Sequence, residues 1–189
     1  MSGKRNLDAE AIVVAAAELI EETSYEGLTL TALAERLGVK PPSLYNHVDG
    51  IDDVRRQLAT WVGEHMRSAI RDAVVGRSHD DALRTIAHEY RRFAKTHPEQ
   101  YRVFLSGRHN GEEGPLDVVR TTLRQVLAVY QLRLGVEADF IRSLHSAMYG
   151  FIGLENRGAF TASADVDASF DVLVEGQIVV LHWLAGRAA

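Results

Sequence analysis

The sequence predicts an all-α protein of about nine helices, a three-helix helix-turn-helix domain followed by a helical bundle. Three observations carry this. Apolar residues recur at helical spacing in every long segment. No alternating apolar–polar run marks a strand. Gly27, Gly38, Pro41, Pro42, Gly76, Pro98, Pro115 and Gly135 punctuate the periodic segments, where turns and helix starts need them.

Asp8 opens the first helix. Ile12, Ala15, Ala16, Leu19 and Ile20 form its apolar stripe, and Glu18, Glu21 and Glu22 its wet side. Tyr25 and Gly27 close it, with Gly27 expected in the left-handed turn position. Lys4 and Arg5 precede it as a short basic arm. Such an arm either reaches into a minor groove or stays solvated.

The stretch GLTLTALAERLGVKPPSLYNHV, residues 27–48, organises the chain. Leu30, Leu33, Ala34 and Leu37 repeat at helical spacing, and the Thr29 hydroxyl can cap their helix. Gly38 breaks that helix, and Pro41 and Pro42 start a second, short one from Ser43 to His47. Leu44 and Val48 share a face that packs back. Pro42, Ser43, Tyr45, Asn46 and His47 face elsewhere and carry donors, acceptors and ring surface. Residues 1–50 hold four cations against eight acids, yet no carboxylate falls between Glu35 and Asp49. An acid-free window in an acidic domain suits an approach to phosphates. The same spacing also fits a helical hairpin with no such role.

Asp49-Gly50 signals a turn, and Asp52 and Asp53 then sit in the first turn of a helix, where the macrodipole favours them. This helix runs from about residue 52 to 75, with Val54, Leu58, Trp61, Val62, His65, Met66, Ala69 and Ile70 on its apolar side. Residues 1–50 thus form one domain and 51–189 the other, with helix 52–75 bridging them as a lever. Ser78 or Asp80 caps the next helix, which carries Leu83, Ile86, Ala87, Tyr90, Phe93 and Ala94. Pro98 opens another, with Tyr101, Phe104 and Leu105. GRHNGEEG, residues 107–114, is a loop by composition. Pro115 starts a helix through Leu134, which Gly135 stops.

Two helices remain, roughly 138–160 and 168–186, joined by TASADVDAS. Ala147, Gly150 and Gly153 leave the first with a strip free of bulk. The second is apolar nearly all round, including Phe170, Leu173, Val180 and Trp183, so it needs cover on both sides. A second copy of the chain supplies it economically, as a four-helix homodimer interface built on Gly150, Gly153, Phe170, Leu173, Val180 and Trp183. A fully buried central helix in a monomer is the other solution.

Composition bounds the rest. The chain has 189 residues, 46% of them apolar, enough for a real core. It has no cysteine, which removes disulfides and thiolate metal sites. The start MSGKRNLD lacks an apolar signal region, and no apolar run nears the ~20 residues of a membrane span. A cytoplasmic location without membrane association is expected. The net charge of −5 argues against general coating of nucleic acid. His88-Glu89 has no second histidine four residues on, so it is no zinc-protease helix. No glycine-rich phosphate loop follows a strand. No enzyme activity, metal or cofactor is expected.

LTLTALAERLGVKPPSLYNHV, with its L-Y-x-H ending, resembles the DNA-binding domain of TetR-family transcriptional regulators, from near Leu7 to about Leu58. The resemblance implies that Thr29 and Thr31 open the supporting helix against the DNA backbone. It implies that Lys40, Pro41, Pro42 and Ser43 enter the major groove and that Tyr45 and His47 hold phosphates; Asn46, on the same outward face, is a further DNA-binding candidate. Family members usually place a lysine at the start of the next helix. Here that position is Ile51, followed by Asp52 and Asp53, and Arg55 or Arg56 one turn on is the substitute. SAMYGFIGLENRGAF looks like the C-terminal region of one TetR subgroup, less specifically. The resemblance implies a ligand-binding and dimerisation domain. An effector pocket would draw on Trp61, His65, Tyr90, Phe93, Tyr101, Phe104, His145, Met148 and Tyr149, all aromatic or polarisable and on inward stripes. The expected function is a homodimeric repressor that binds palindromic double-stranded operator DNA and is released by an unidentified small-molecule effector. The alternatives are a helical dimerisation protein with a degenerate hairpin and, further off, an α-helical enzyme.

Overall fold

The structure, a computed structural model, describes residues 7–106, 115–133, 135–161 and 165–186. The basic arm of Lys4 and Arg5, the loop 107–114 and Leu134 lie outside these residues. Among the described residues there are nine α-helices and no strand. They are α1 (Ala9–Glu22), α2 (Leu30–Leu37), α3 (Pro41–Leu44), α4 (Ile51–Ala73), α5 (His79–Thr96), α6 (Pro98–Ser106), α7 (Pro115–Leu127), α8 (Val136–Asn156) and α9 (Val166–Gly186). A short 3-10 turn, Ala128–Tyr130, follows α7.

The chain forms two compact units. The first joins Met1–His65 to His97–Leu116, and the second joins Met66–Thr96 to Asp117–Ala189. The chain thus passes between them inside α4, again between α5 and α6, and a third time at the start of α7.

In the first unit, Asp8 caps α1 by accepting from the Ala11 amide at 2.8 Å. Ile12, Ala16 and Ile20 are wholly buried along one face, as are Leu33 of α2 and Val54, Leu58 and Val62 of α4. Gly27 departs from the sequence expectation, because its φ is not positive. A Cβ there would lie 3.1 Å from Thr23 Oγ1, which itself donates to the Leu19 carbonyl. Glycine at position 27 answers to a close approach, not to a left-handed turn.

The second unit is held by α5, α8 and α9. Tyr90, Phe93 and Ala94 of α5, Phe140, Leu144 and Ile152 of α8, and Phe170, Val174, Ile178 and Leu181 of α9 make its core. A ladder of polar side-chain pairs runs beside it. Asp80, Arg84, His88 and Arg91 of α5 meet His182, Glu175, Asp171 and Asp167 of α9, an antiparallel register at one helical turn or two per rung. At its end Arg91, only 6% exposed, forks onto Glu155 of α8 at 2.8 and 2.6 Å and lies over the Phe170 ring at 4.7 Å.

Two helix ends and one cap differ from the sequence reading. The helix from Pro115 stops at Leu127, not at Leu134. Tyr130 donates its hydroxyl to Asp80 at 2.6 Å, and Gln131 turns left-handed with φ 49°, which ends the helical path. Asp80 therefore serves Tyr130 and His182, not as a cap of α5. α8 ends at Asn156, where Gly158 (φ 65°) and Ala159 close the last carbonyls. α9 also contradicts the expectation that no segment is long and apolar enough for a membrane span. It is 21 residues long and holds an 18-residue stretch of mean hydropathy 1.3, so it passes that test by length and composition. Its acids, however, are engaged in the ladder to α5.

Candidate nucleic-acid interface

The hairpin α2–α3 is built from local chemistry. Thr29 accepts from the Ala32 amide at 3.1 Å, which caps α2. Gly38 sits at φ 67°, and its amide and that of Val39 return to carbonyls of the last turn. Pro41 and Pro42 fill the first two positions of α3, where no N–H is needed. The helix proper starts at Pro41, earlier than the expected Ser43, and ends at Leu44. Tyr45, Asn46 and His47 continue it as a turn, with the His47 and Val48 amides donating to the Leu44 carbonyl. Leu44 and Val48 are buried, and this anchors the hairpin's inner face.

Its outer face is polar and open. Thr29, Thr31, Lys40, Pro41, Pro42, Tyr45, Asn46 and His47 are exposed, and Ser43 is half-buried. Tyr45 is 61% exposed, high for a tyrosine with nothing to cover. Arg36 is bound to Glu18 at 2.9 Å and Glu22 at 2.7 Å, so it braces α2 on α1. Those carboxylates raise its pKa, Glu22 more than Glu18, against a smaller effect of burial. Lys40 has no ion-pair partner among the described residues and is the cation this face presents. Arg55 lies apart, on α4. Its guanidinium covers the Tyr25 ring at 5.6 Å and donates to Asp52 at 3.2 Å, while its Nε is buried without a hydrogen bond. Asp53 caps α4 by accepting from the Asp49 amide, and that bond holds its carboxyl below the usual range.

The residues expected to receive an effector are divided. Trp61, His65, Tyr101 and Phe104 belong to the first unit, where the Trp61 and His65 rings stack at 4.9 Å. Tyr90, Phe93, His145, Met148 and Tyr149 belong to the second. There, His145 stands between Tyr90 and Tyr149, with ring centroids 6.4 and 6.3 Å away, and its Nε2 is buried with no hydrogen-bond partner. Burial pushes its pKa down, with a smaller push from Arg120, so the neutral imidazole is favoured. A separate open groove of about 480 Å³ lies along His88, Arg91, Lys95 and Asp171, and sequence reasoning missed it. Its residues come together from distant helices, and no local signal announces them.

On the outer side of α8 and α9, Gly150 and Gly176 meet nothing within 4 Å, and Gly153 only the Arg157 side chain. Trp183 is 55% exposed and Val180 38%, with Leu173 half-buried. Phe170, also expected there, is enclosed in its own unit against His88 and Arg91.

Two family models match the chain. The model of bacterial regulatory proteins of the tetR family covers residues 12–57, and that of the tetracyclin repressor-like C-terminal domain covers residues 83–176. An HTH-type transcriptional regulator of Mycobacterium tuberculosis is 34% identical over 172 residues, 89% of this chain and 78% of that one. Another from Bacillus subtilis is 29% identical over 171 residues, 88% of each chain. Among solved structures, a variant of TetR from Acinetobacter baumannii in complex with minocycline superposes with a TM-score of 0.70 at 21% identity, over 95% of this chain and 99% of that one.

Proposed function

Since the chain belongs to the TetR family of bacterial regulatory proteins, we propose that it works as a homodimer, reads a palindromic operator with two copies of the α2–α3 hairpin, and leaves it when a small molecule occupies the second unit. It is a DNA-binding transcriptional regulator and not an enzyme. The observation that carries the reading of the site is the outer face from Lys40 to His47. It is polar, uncovered, free of carboxylates, and rigidly carried by Gly38 and the two prolines. Lys40, Pro41, Pro42 and Ser43 meet base edges, with Asn46 beside them. Tyr45 and His47, with Thr29 and Thr31, meet the backbone. Arg55, already fastened to Tyr25 and Asp52, acts mainly by holding α4, and its free contribution to phosphate is small.

One such hairpin touches few base pairs, so a site in a genome needs two in fixed register. The bare side of α8 and α9 supports pairing through Gly150, Gly153, Leu173, Val180 and Trp183. Minocycline in the A. baumannii neighbour makes a small-molecule effector the natural expectation for a chain of this fold. The buried, unpartnered Nε2 of His145 supports a ligand that offers it one hydrogen bond. Operator binding is work done in the cytoplasm.

The test is fluorescence anisotropy with DNA flanking the protein's own gene, across a salt series. Specific binding should be on the order of 10 nM or tighter, with a steep loss of affinity as salt rises. Lys40→Gln should cost about 1–3 kcal/mol of operator affinity and relax specificity at the base pair it meets. Equal affinity for random duplex would favour instead a helical dimerisation protein whose hairpin does not read DNA.

A further inference from the structure

α6 belongs to the first unit, although the chain reaches it from α5 of the second through His97. The reason is a reciprocal pair of carboxylate contacts. Pro98 has no N–H, so Glu99 and Gln100 supply the first free amides of α6. Both donate to one carboxylate on α1: the Gln100 amide to Glu21 Oε1 at 2.8 Å, the Glu99 amide to Oε2 at 3.3 Å. In return, Glu99 Oε2 accepts from the Tyr25 amide at 2.8 Å, in the loop that leads from α1 to α2. Gln100, 6% exposed, donates its side-chain amide to the Ala17 carbonyl at 3.4 Å. Arg102 closes the edge by binding Glu26 and Glu99. A carboxylate on first-turn amides gains from both the hydrogen bonds and the helix dipole. The Glu21 cap and the Glu99–Tyr25 bond, facing opposite ways, resist both sliding and rotation of α6 on α1.

We propose that Glu21 and Glu99 fasten α6 to the DNA-binding head: their reciprocal contacts make α6 open, close and move as part of it. They touch no DNA. They act through Tyr25 and α1 on the seat of the hairpin, so a displacement imposed on α6 reaches the hairpin without passing along α4. The inference rests on the DNA-binding reading of the α2–α3 hairpin.

Amide hydrogen exchange on the full-length protein tests it, with and without a duplex selected from a random library by the wild-type protein. A ligand that binds only the closed head slows every amide exposed by the head's cooperative opening. In the wild type the duplex should slow exchange severalfold at residues 30–48 and equally at residues 99–104. With Glu21→Ala and Glu99→Ala together, slowing at 30–48 should persist while that at 99–104 disappears. Glu21→Gln keeps an acceptor for the α6 amides and should restore it, which loss of fold would not allow. Slowing at 30–48 with α6 indifferent in the wild type overturns the proposal. So does an α6 response that survives the double change. No slowing at 30–48 with any selected duplex overturns the DNA reading itself, and the proposal with it.

Discussion

Without the Arg91 guanidinium, Glu155 would keep Lys95 at 3.1 Å as its remaining cation. Arg91→Met should therefore cost about 3 kcal/mol of unfolding free energy, the low end for breaking a buried pair, since the neighbouring groove admits water. A urea titration measures it, and a change below about 1 kcal/mol would remove Arg91 from the forces that hold α5, α8 and α9 together. Acid should report the same contact. Arg91 first, then Lys95, hold the Glu155 carboxyl below its ordinary 4.5, against the opposing effect of burial. A carboxyl depressed in the folded state stabilises fully above its unfolded pKa, and the gain fades as pH falls through the folded one. Asp167, depressed by the same guanidinium, adds in the same direction. Wild-type stability should thus fall more steeply below about pH 4.5 than that of Arg91→Met. Parallel curves would point to other carboxyls. None of this was legible in the sequence, because Arg91 lies 64 residues from Glu155 and 76 from Asp167. Thr29 and Gly38 were legible because their partners lie within a turn. Gly27 was misread because its constraint is a neighbour, Thr23, and not its own backbone.

At the scale of elements, what the sequence specified locally came through. Caps, glycines and prolines set α1, α2, the turn and the start of α4. The ends of α7 and α8 did not come through, since Tyr130 answers to Asp80 on another helix and Gly158 ends α8 before its apolar residues run out. The turn between α2 and α3 offers a clean measurement. Gly38 has φ 67° and nothing within 4 Å of where a Cβ would sit. Gly38→Ala therefore meets backbone strain alone and should cost about 1–2 kcal/mol. The denaturation midpoint of the first unit should drop accordingly. An unchanged midpoint would mean that the turn relaxes at no cost. The candidate site follows the same division. The hairpin's outer residues could be placed from spacing, whereas the fastening of Arg55 over Tyr25 could not, because it joins α4 to a loop 30 residues earlier.

Across the whole molecule, α9 is covered on one side only. Phe170, Val174, Ile178 and Leu181 are buried, while Val172 is 73%, Val179 69% and Trp183 55% exposed. Apolar surface of that extent on a DNA-binding regulator calls for a partner, and the glycines beside it allow close approach. Trp183→Arg should give monomers in sedimentation analysis and a large loss of operator affinity, since one hairpin must then bind alone. A dimer that survives the change would place the interface elsewhere. The covering of α9 on both sides was a sequence expectation, and the structure supplies one of the two covers.

The interrupted make-up of the first unit bears on how such regulators can be recombined. A chimaera cut at residue 50 or 65 takes its helix-turn-helix from one parent and α6 from the other. Glu21 and the Tyr25 amide would then face whatever the second parent carries at positions 99 and 100. Heads are exchangeable only between chains that match across that seam, or when residues 98–106 travel with the graft.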